Sequence, residues 1–405
     1  MNQPEPARHG PGDGSRGMTM LYPDRMLLIA LAILAHAPAW AKDARPRQPV
    51  CLYVATNSPR DGEGVFVATF DQGRGRLGEL RPTGGLKSPA YLAIHPRGGV
   101  VYAPTKLSGN NAASSGGVVA LVRDAETGAL REIGRRPSGG DGPCYLALDQ
   151  AGECLLVAHC GAGGVSCLKL NSDGSCGTLA TSMPQRGESR NSEGKPQAHS
   201  ILATPGDQFA VSADLGLDRL FLYRLDVRRA QLTTHQPPFV PLTIGAGPRH
   251  LAFDPRGRFL YSANELGNTV TALEFNRETG QAKVLQELST LPADYRGESF
   301  AAEIQVHPSG RFLYVSNRGH DSLATFAIDS RTGRLERKGF TASGGKFPRH
   351  FTMDSTGEYL IVANQKSDRL TLFRVDIESG RLTLHRDPIK VAAPVCVRFA
   401  LPSRP

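Results

Sequence analysis

Apolar and polar residues alternate along the chain in short runs, and the alternation itself recurs. Pro248-Arg-His-Leu-Ala-Phe-Asp-Pro-Arg-Gly-Arg-Phe-Leu-Tyr-Ser-Ala-Asn264 returns as Pro348-Arg-His-Phe-Thr-Met-Asp-Ser-Thr-Gly-Glu-Tyr-Leu-Ile-Val-Ala-Asn364. Looser copies lie at 301–317, 143–159, 89–105 and 198–214. A period of two broken by Pro and Gly predicts two antiparallel strands joined by a hairpin. Each unit continues into a third alternating run, a turn of the Asp-x-x-Thr-Gly type (124–128, 276–280, 329–333, 376–380) and a fourth run. Every repeat therefore predicts a four-stranded antiparallel sheet.

The units start at 89, 143, 198, 248, 301 and 348, with a truncated one at 394, spaced by 54, 55, 50, 53, 47 and 46 residues. Four strands at a period near ~50 residues are the mark of propeller blades. The last start, Pro394-Val-Cys-Val-Arg-Phe-Ala-Leu401, has no second strand of its own, and Val50-Cys-Leu-Tyr-Val-Ala-Thr-Asn57 supplies one from the other end of the chain. The expected fold is all-β: a seven-bladed propeller whose C-terminal strand joins the N-terminal strands, leaving no free edge in the ring.

Upstream of the repeats, Met26-Leu-Leu-Ile-Ala-Leu-Ala-Ile-Leu-Ala35 follows Arg25 and leads to Ala39-Trp-Ala41. This order of basic, apolar and small residues predicts a signal peptide cleaved after Ala41 and a periplasmic or secreted product. Residues 1–41 are then a leader, and 42–405 a single propeller domain. The apolar run is shorter than the ~18 residues a membrane span requires.

Charge and cysteine usage narrow the function. Lys+Arg 47 against Asp+Glu 38 gives +9, but the basic residues are scattered singly, which argues against nucleic-acid binding. The seven cysteines (51, 144, 154, 160, 167, 176, 396) contain no C-x-x-C pair, excluding a zinc knuckle or a thioredoxin-type motif. Export permits disulfides, and the pairing among the five cysteines at 144–176 stays open. Cys51 and Cys396, on neighbouring strands of the closing blade, are expected to be buried free thiols.

Within each unit the first strand starts, and the second ends, on the same face of the disc. Counting the first residue of a unit as position 0, the residues at +1 and +17 should meet at one mouth of the central channel. Position +1 carries Ala90, Cys144, His199, Arg249, Ala302, Arg349 and Val395; position +17 carries Lys106, Cys160, Leu215, Glu265, Arg318 and Gln365, with Ser58 in the closing blade. Position +2 adds Ser200, His250, Glu303 and His350. Equivalent repeats should look alike around the axis, so polar groups concentrated in four blades point to an asymmetric ligand. His95 and His307 precede the hairpin turns and are expected on the opposite face, as turn residues.

These repeats resemble the seven-bladed lactonase family that includes 6-phosphogluconolactonase and carboxymuconate cyclase, over about 50–401. The resemblance rests on Gly247-Pro-Arg-His-Leu-Ala-Phe-Asp-Pro255, Tyr261-Ser-Ala-Asn-Glu265, Ala302-Glu-Ile-Gln-Val-His-Pro308, Tyr314-Val-Ser-Asn-Arg318 and Val362-Ala-Asn-Gln-Lys366. It implies hydrolysis of a sugar lactone, with His199, Arg249, Glu265 and Arg318 as catalytic residues. Opening a lactone takes a base for water and cationic donors for the oxyanion. His199 is the expected base, Arg249 and Arg318 the anion stabilisers, and Glu265 an orienting group or alternative base. His250, Glu303, Arg349 and Gln365 are expected substrate contacts. No motif demands a metal or cofactor, and the expected partner is a small-molecule lactone bound by a monomer. An exported enzyme would take an unphosphorylated lactone, and 6-phosphogluconolactone returns as first choice if translation starts after the apolar segment. The competing readings are an exported propeller that binds a protein or glycan without catalysis, and a muconate-type lactonising cyclase.

Overall fold

The computed structural model describes residues 49–58, 63–107, 116–189 and 194–400. The expected leader and cleavage site, residues 1–41, lie outside them. Among the described residues no helix is long and apolar enough to cross a membrane.

The strands form seven antiparallel sheets. Blade 1 runs from Ala93–Ile94 to Leu130–Pro137, blade 2 from Pro143–Leu148 to Cys176–Pro184, blade 3 from Ala198–Ala203 to Gln231–Pro241 and blade 4 from Pro248–Phe253 to Ala282–Ser289. Blade 5 spans Phe300–Val306 to Leu335–Ala342, and blade 6 Pro348–Met353 to Leu382–Leu384, with Ile389–Lys390 added. Blade 7 is assembled from both ends of the sequence: Pro394–Ala400 pairs antiparallel with Val50–Thr56 in the register Cys51↔Ala400 to Thr56↔Pro394. The expected closure is thus present. Cys51 and Cys396 are buried free thiols in it.

Burial follows position within a blade. Second strands such as Phe259–Asn264 and Tyr359–Asn364 are buried at every residue, because sheets cover both their faces. Fourth strands such as Leu335–Ala342 are half exposed, with one buried residue.

Two repeated hydrogen bonds tie neighbouring blades. Tyr53, Tyr102, Tyr261 and Tyr314, on second strands, donate to the carbonyls of Gly128, Gly174, Gly333 and Gly380 in turns of the next blade, at 2.6, 2.7, 3.2 and 2.8 Å. Those glycines all have φ between 69° and 80°, in the region an L side chain avoids. The rings of His95 and His307 reach the carbonyls of Gly152 and Gly357 at 3.1 and 3.0 Å. Both histidines are turn residues, as their place before the hairpin implies, and they also act as inter-blade ties.

Candidate active site

The innermost strands share an irregularity that shapes the channel. In blade 4 Pro248 pairs with Asn264 but His250 with Ala263, so Arg249 is an extra residue in the ladder. The same shift leaves Cys144, His199, Arg349 and Val395 unpaired in blades 2, 3, 6 and 7, and in blade 5 it falls between Ala301 and Ile304. A bulge breaks the alternation of side chains between faces. Consecutive +1 and +2 residues can therefore both reach the axis, and the channel gains two layers.

The outer layer is a charged cluster. Glu265 Oε2 lies 2.7 Å from Arg249 Nε and 2.8 Å from Arg318 Nη2. Arg318 also donates to the carbonyls of Phe300 and Ala301, both at 3.3 Å, and its guanidinium sits 5.3 Å from the Phe347 ring centroid. Burial pushes the Glu265 carboxyl up, but Arg249 and Arg318 outweigh it and hold the group below its ordinary value. Arg349 makes no hydrogen bond or ion pair among the described residues; burial and the charges of Arg249 and Arg318 bring it down to about 9. Three guanidiniums face one carboxylate. The cluster holds two positive charges in excess, and among the described residues the blade 6 guanidinium has no ion-pair partner. In the same blade the buried Oε1 of Gln365 has no hydrogen-bond partner among the described residues.

His199 stands beside this cluster, its ring 5.3 Å from that of His250. Among the described residues its buried Nδ1 has no hydrogen-bond partner. Burial, then the charges of Arg249 and Arg349, push its pKa well below the ordinary histidine value, so the ring is a neutral imidazole with an unused nitrogen. Cys144 and Cys160, the +1 and +17 residues of blade 2, form a disulfide next to it. That bond occupies the place of the Arg249–Glu265 ion pair in blade 4.

The inner layer is a buried polar ring. His250 receives Arg249 Nη1 at one nitrogen (3.1 Å) and faces Glu303 Oε2 with the other (2.8 Å). Both nitrogens are occupied, which assigns the proton to Nδ1. His350 Nε2 approaches the same Glu303 oxygen at 3.2 Å, and its Nδ1 accepts from Val397 N–H at 3.4 Å. Burial pushes Glu303 up to about 7, against the pull of Arg398 and Arg249. Below lie Tyr91 and Tyr145, ring centroids 4.3 Å apart, and Arg398, which donates to the Tyr91 hydroxyl.

Of the eight sequence-derived site residues, Arg249, Glu265 and Arg318 are joined by ion pairs, and Arg249 touches His250, against which His199 packs. Arg349 lies near enough for its charge to act on Glu265 and His199, Gln365 follows the second strand of blade 6 and donates its N–H to the Phe347 carbonyl at 3.0 Å, and His250 and Glu303 are buried. Sequence reasoning passed over Tyr91 and Tyr145, although both occupy position +2 and the repeat alignment could have found them. Arg398 enters at +4 of the closing blade, where no repeat rule marks it. Among the described residues, the one cluster with metal-ligating atoms close together is Cys144, Cys160 and His199.

The model of the family described as Lactonase, 7-bladed beta-propeller, matches residues 51–399. The chain is 33% identical over 349 residues to a 6-phosphogluconolactonase of Bacillus subtilis, covering 86% of this chain and 97% of that one. Among solved structures, a Pseudomonas aeruginosa periplasmic gluconolactonase superposes with a TM-score of 0.80 at 29% identity, over 87% of this chain and 99% of the other. A protein from Lactobacillus plantarum gives 0.79 at 29% identity over the same shares.

Proposed function

From the premise that the chain belongs to the seven-bladed β-propeller lactonase family, we propose that it hydrolyses a sugar lactone at the mouth formed by His199, Arg249, Glu265, Arg318 and Arg349. The observation that carries this reading is a neutral histidine with a nitrogen unpartnered among the described residues, beside two guanidiniums that share one carboxylate and a third that pairs with no described residue. His199 takes a proton from water as the oxygen attacks the lactone carbonyl, and the ring oxygen recovers that proton as it leaves, yielding the open hydroxy acid. Arg349, which pairs with no described residue, receives the developing oxyanion or the anionic end of the substrate. Arg249 and Arg318, held by Glu265, form the positive frame around it. Glu265 is a poor base, since its two ion pairs favour the charged form and occupy its Oε2. Gln365 offers an acceptor to a substrate hydroxyl. His250 and Glu303 support Arg249 from below.

On the substrate, the positive excess suits an acid-bearing sugar lactone. Two relatives, one whose name specifies a phosphorylated lactone and one named as a periplasmic gluconolactonase, bracket the choice. The apolar segment at 26–35 favours export, and with it an unphosphorylated aldonolactone.

The test is hydrolysis of glucono-δ-lactone and 6-phosphogluconolactone by the full chain, with the spontaneous rate subtracted. Acceleration is expected, reduced roughly 100-fold or more in His199→Ala, the scale of a lost general base. A folded protein that accelerates neither lactone, or a His199→Ala variant with full activity, would sink the proposal.

A further inference from the structure

Blade 2 differs from every other blade at the mouth. Where blade 4 sets Arg249 against Glu265, and blade 6 sets Arg349 against Gln365, blade 2 sets Cys144 against Cys160, joined as a disulfide with Cα atoms 6.1 Å apart. The pair abuts His199 of blade 3, and both sulfurs and an imidazole nitrogen lie within 4.8 Å of one another. All three residues are half-buried, so a small reductant can reach the bond. Among the described residues the buried His199 Nδ1 has no hydrogen-bond partner, which is unusual for an imidazole in a polar layer. Two sulfurs and an imidazole nitrogen, supplied by the bulged strands Pro143–Leu148 and Ala198–Ala203 and by the turn after Cys154–His159, form a ligand set for a thiophilic cation.

We propose that Cys144, Cys160 and His199 form a redox-masked site for a soft divalent cation such as Zn2+ or Cd2+, absent while the disulfide is closed and formed when it opens. Opening the bond takes two electrons and two protons from an external dithiol, which is itself oxidised to a disulfide. Cation binding then displaces the two thiol protons. Two thiolates cancel the charge of a divalent cation, so the nearby guanidiniums of Arg249 and Arg349 face a neutral centre. The rest of the coordination shell is open to water, the arrangement of a three-ligand site. The binding claim stands on this geometry alone. Its consequence for turnover rests on the proposed role of His199: a cation on the imidazole removes the lone pair that water activation needs.

The full chain, reduced with dithiothreitol and freed of it under anaerobic conditions, is titrated with Cd2+ while the ultraviolet thiolate-to-cadmium charge-transfer band is followed. The expected band saturates at one equivalent, is absent from the oxidised protein, is lost in both Cys144→Ser and Cys160→Ser, and weakens in His199→Ala. The buried thiols Cys51, Cys154, Cys167, Cys176 and Cys396 remain in the Cys144→Ser/Cys160→Ser double variant; a band of full size there overturns the proposal. So does a reduced chain that shows no band while its far-ultraviolet circular dichroism is unchanged. A reduced chain that loses its sheet signal overturns it as well, since the folded dithiol state would not exist. Lactone hydrolysis is measured alongside: Cd2+ is expected to abolish it only in the reduced protein. If the oxidised protein hydrolyses no lactone and the band still appears, the function fails and the metal site stands.

Discussion

At the scale of single residues, the channel separates groups that are committed from groups that are not. His250 has both nitrogens occupied and Glu265 carries two ion pairs, whereas among the described residues His199 Nδ1 has no hydrogen-bond partner and Arg349 no ion pair. The downward shift of His199 has a consequence for pH. A base that stays neutral below the usual histidine range keeps kcat/KM level from neutral pH to below 6.5, with the acid limb falling only beyond that. A limb centred at or above 6.5, in a profile corrected for spontaneous hydrolysis, would assign the base elsewhere. Arg349→Ala is expected to raise KM for a phosphorylated or carboxylated lactone roughly ten- to a hundred-fold, the worth of a charge-assisted hydrogen bond, and to change a neutral lactone less. Steady-state kinetics on both substrates checks the difference. Glu303 has the opposite shift, from 4.5 up to about 7. Its protonated form is favoured in the folded state, so its contribution to stability is complete below pH 4.5 and lost as pH rises through about 7. Glu303→Gln should flatten that part of the stability–pH curve, read by urea unfolding at several pH values.

At the scale of the element, the bulge is the feature that makes the site. A regular first strand would send Arg249 and His250 to opposite faces; the extra residue lets Arg249 meet Glu265 at the mouth while His250 reaches Glu303 beneath it. The inter-blade tyrosines work at the same scale. Tyr314→Phe removes the donor to the buried Gly380 carbonyl and should cost about 1–3 kcal/mol, the penalty of a buried acceptor left unsatisfied. Denaturant unfolding measures it, and a loss within error would mean that water takes the hydroxyl's place. Position in the repeat was legible for these elements, because turn residues and apolar alternation are local signals. The bulges were not, since nothing in Pro248-Arg-His distinguishes a paired arginine from an extra one.

At the scale of the whole molecule, closure joins the two ends of the described chain. Val395, Cys396, Val397 and Ala400 are buried against Val50–Thr56 and the blades on either side. A chain ending at Ala393 would expose that strand edge and its apolar flank, and is expected to show a lower Tm and a shift to aggregates in size-exclusion chromatography. The seven-fold repeat, the closing strand, the shared mouth of positions +1 and +17 and the concentration of charge in blades 3 to 6 were all determined by the sequence, because each depends on spacing and residue type within one unit. Which groups pair and which stay uncommitted was decided only by the tertiary structure. Arg249, Glu265 and Arg318 come from blades 4 and 5, Glu303 of blade 5 meets histidines from blades 4 and 6, and Cys144 chose Cys160 among six possible partners through a strand register that no pairwise count of cysteines contains. The contacts of Arg318 with Glu265 and of Glu303 with His250 and His350 join neighbouring blades and residues 47 to 53 apart along the chain, which local periodicity does not encode, whereas Arg249–Glu265 and Cys144–Cys160, 16 apart within one blade, depend on the bulge that turns the first side chain.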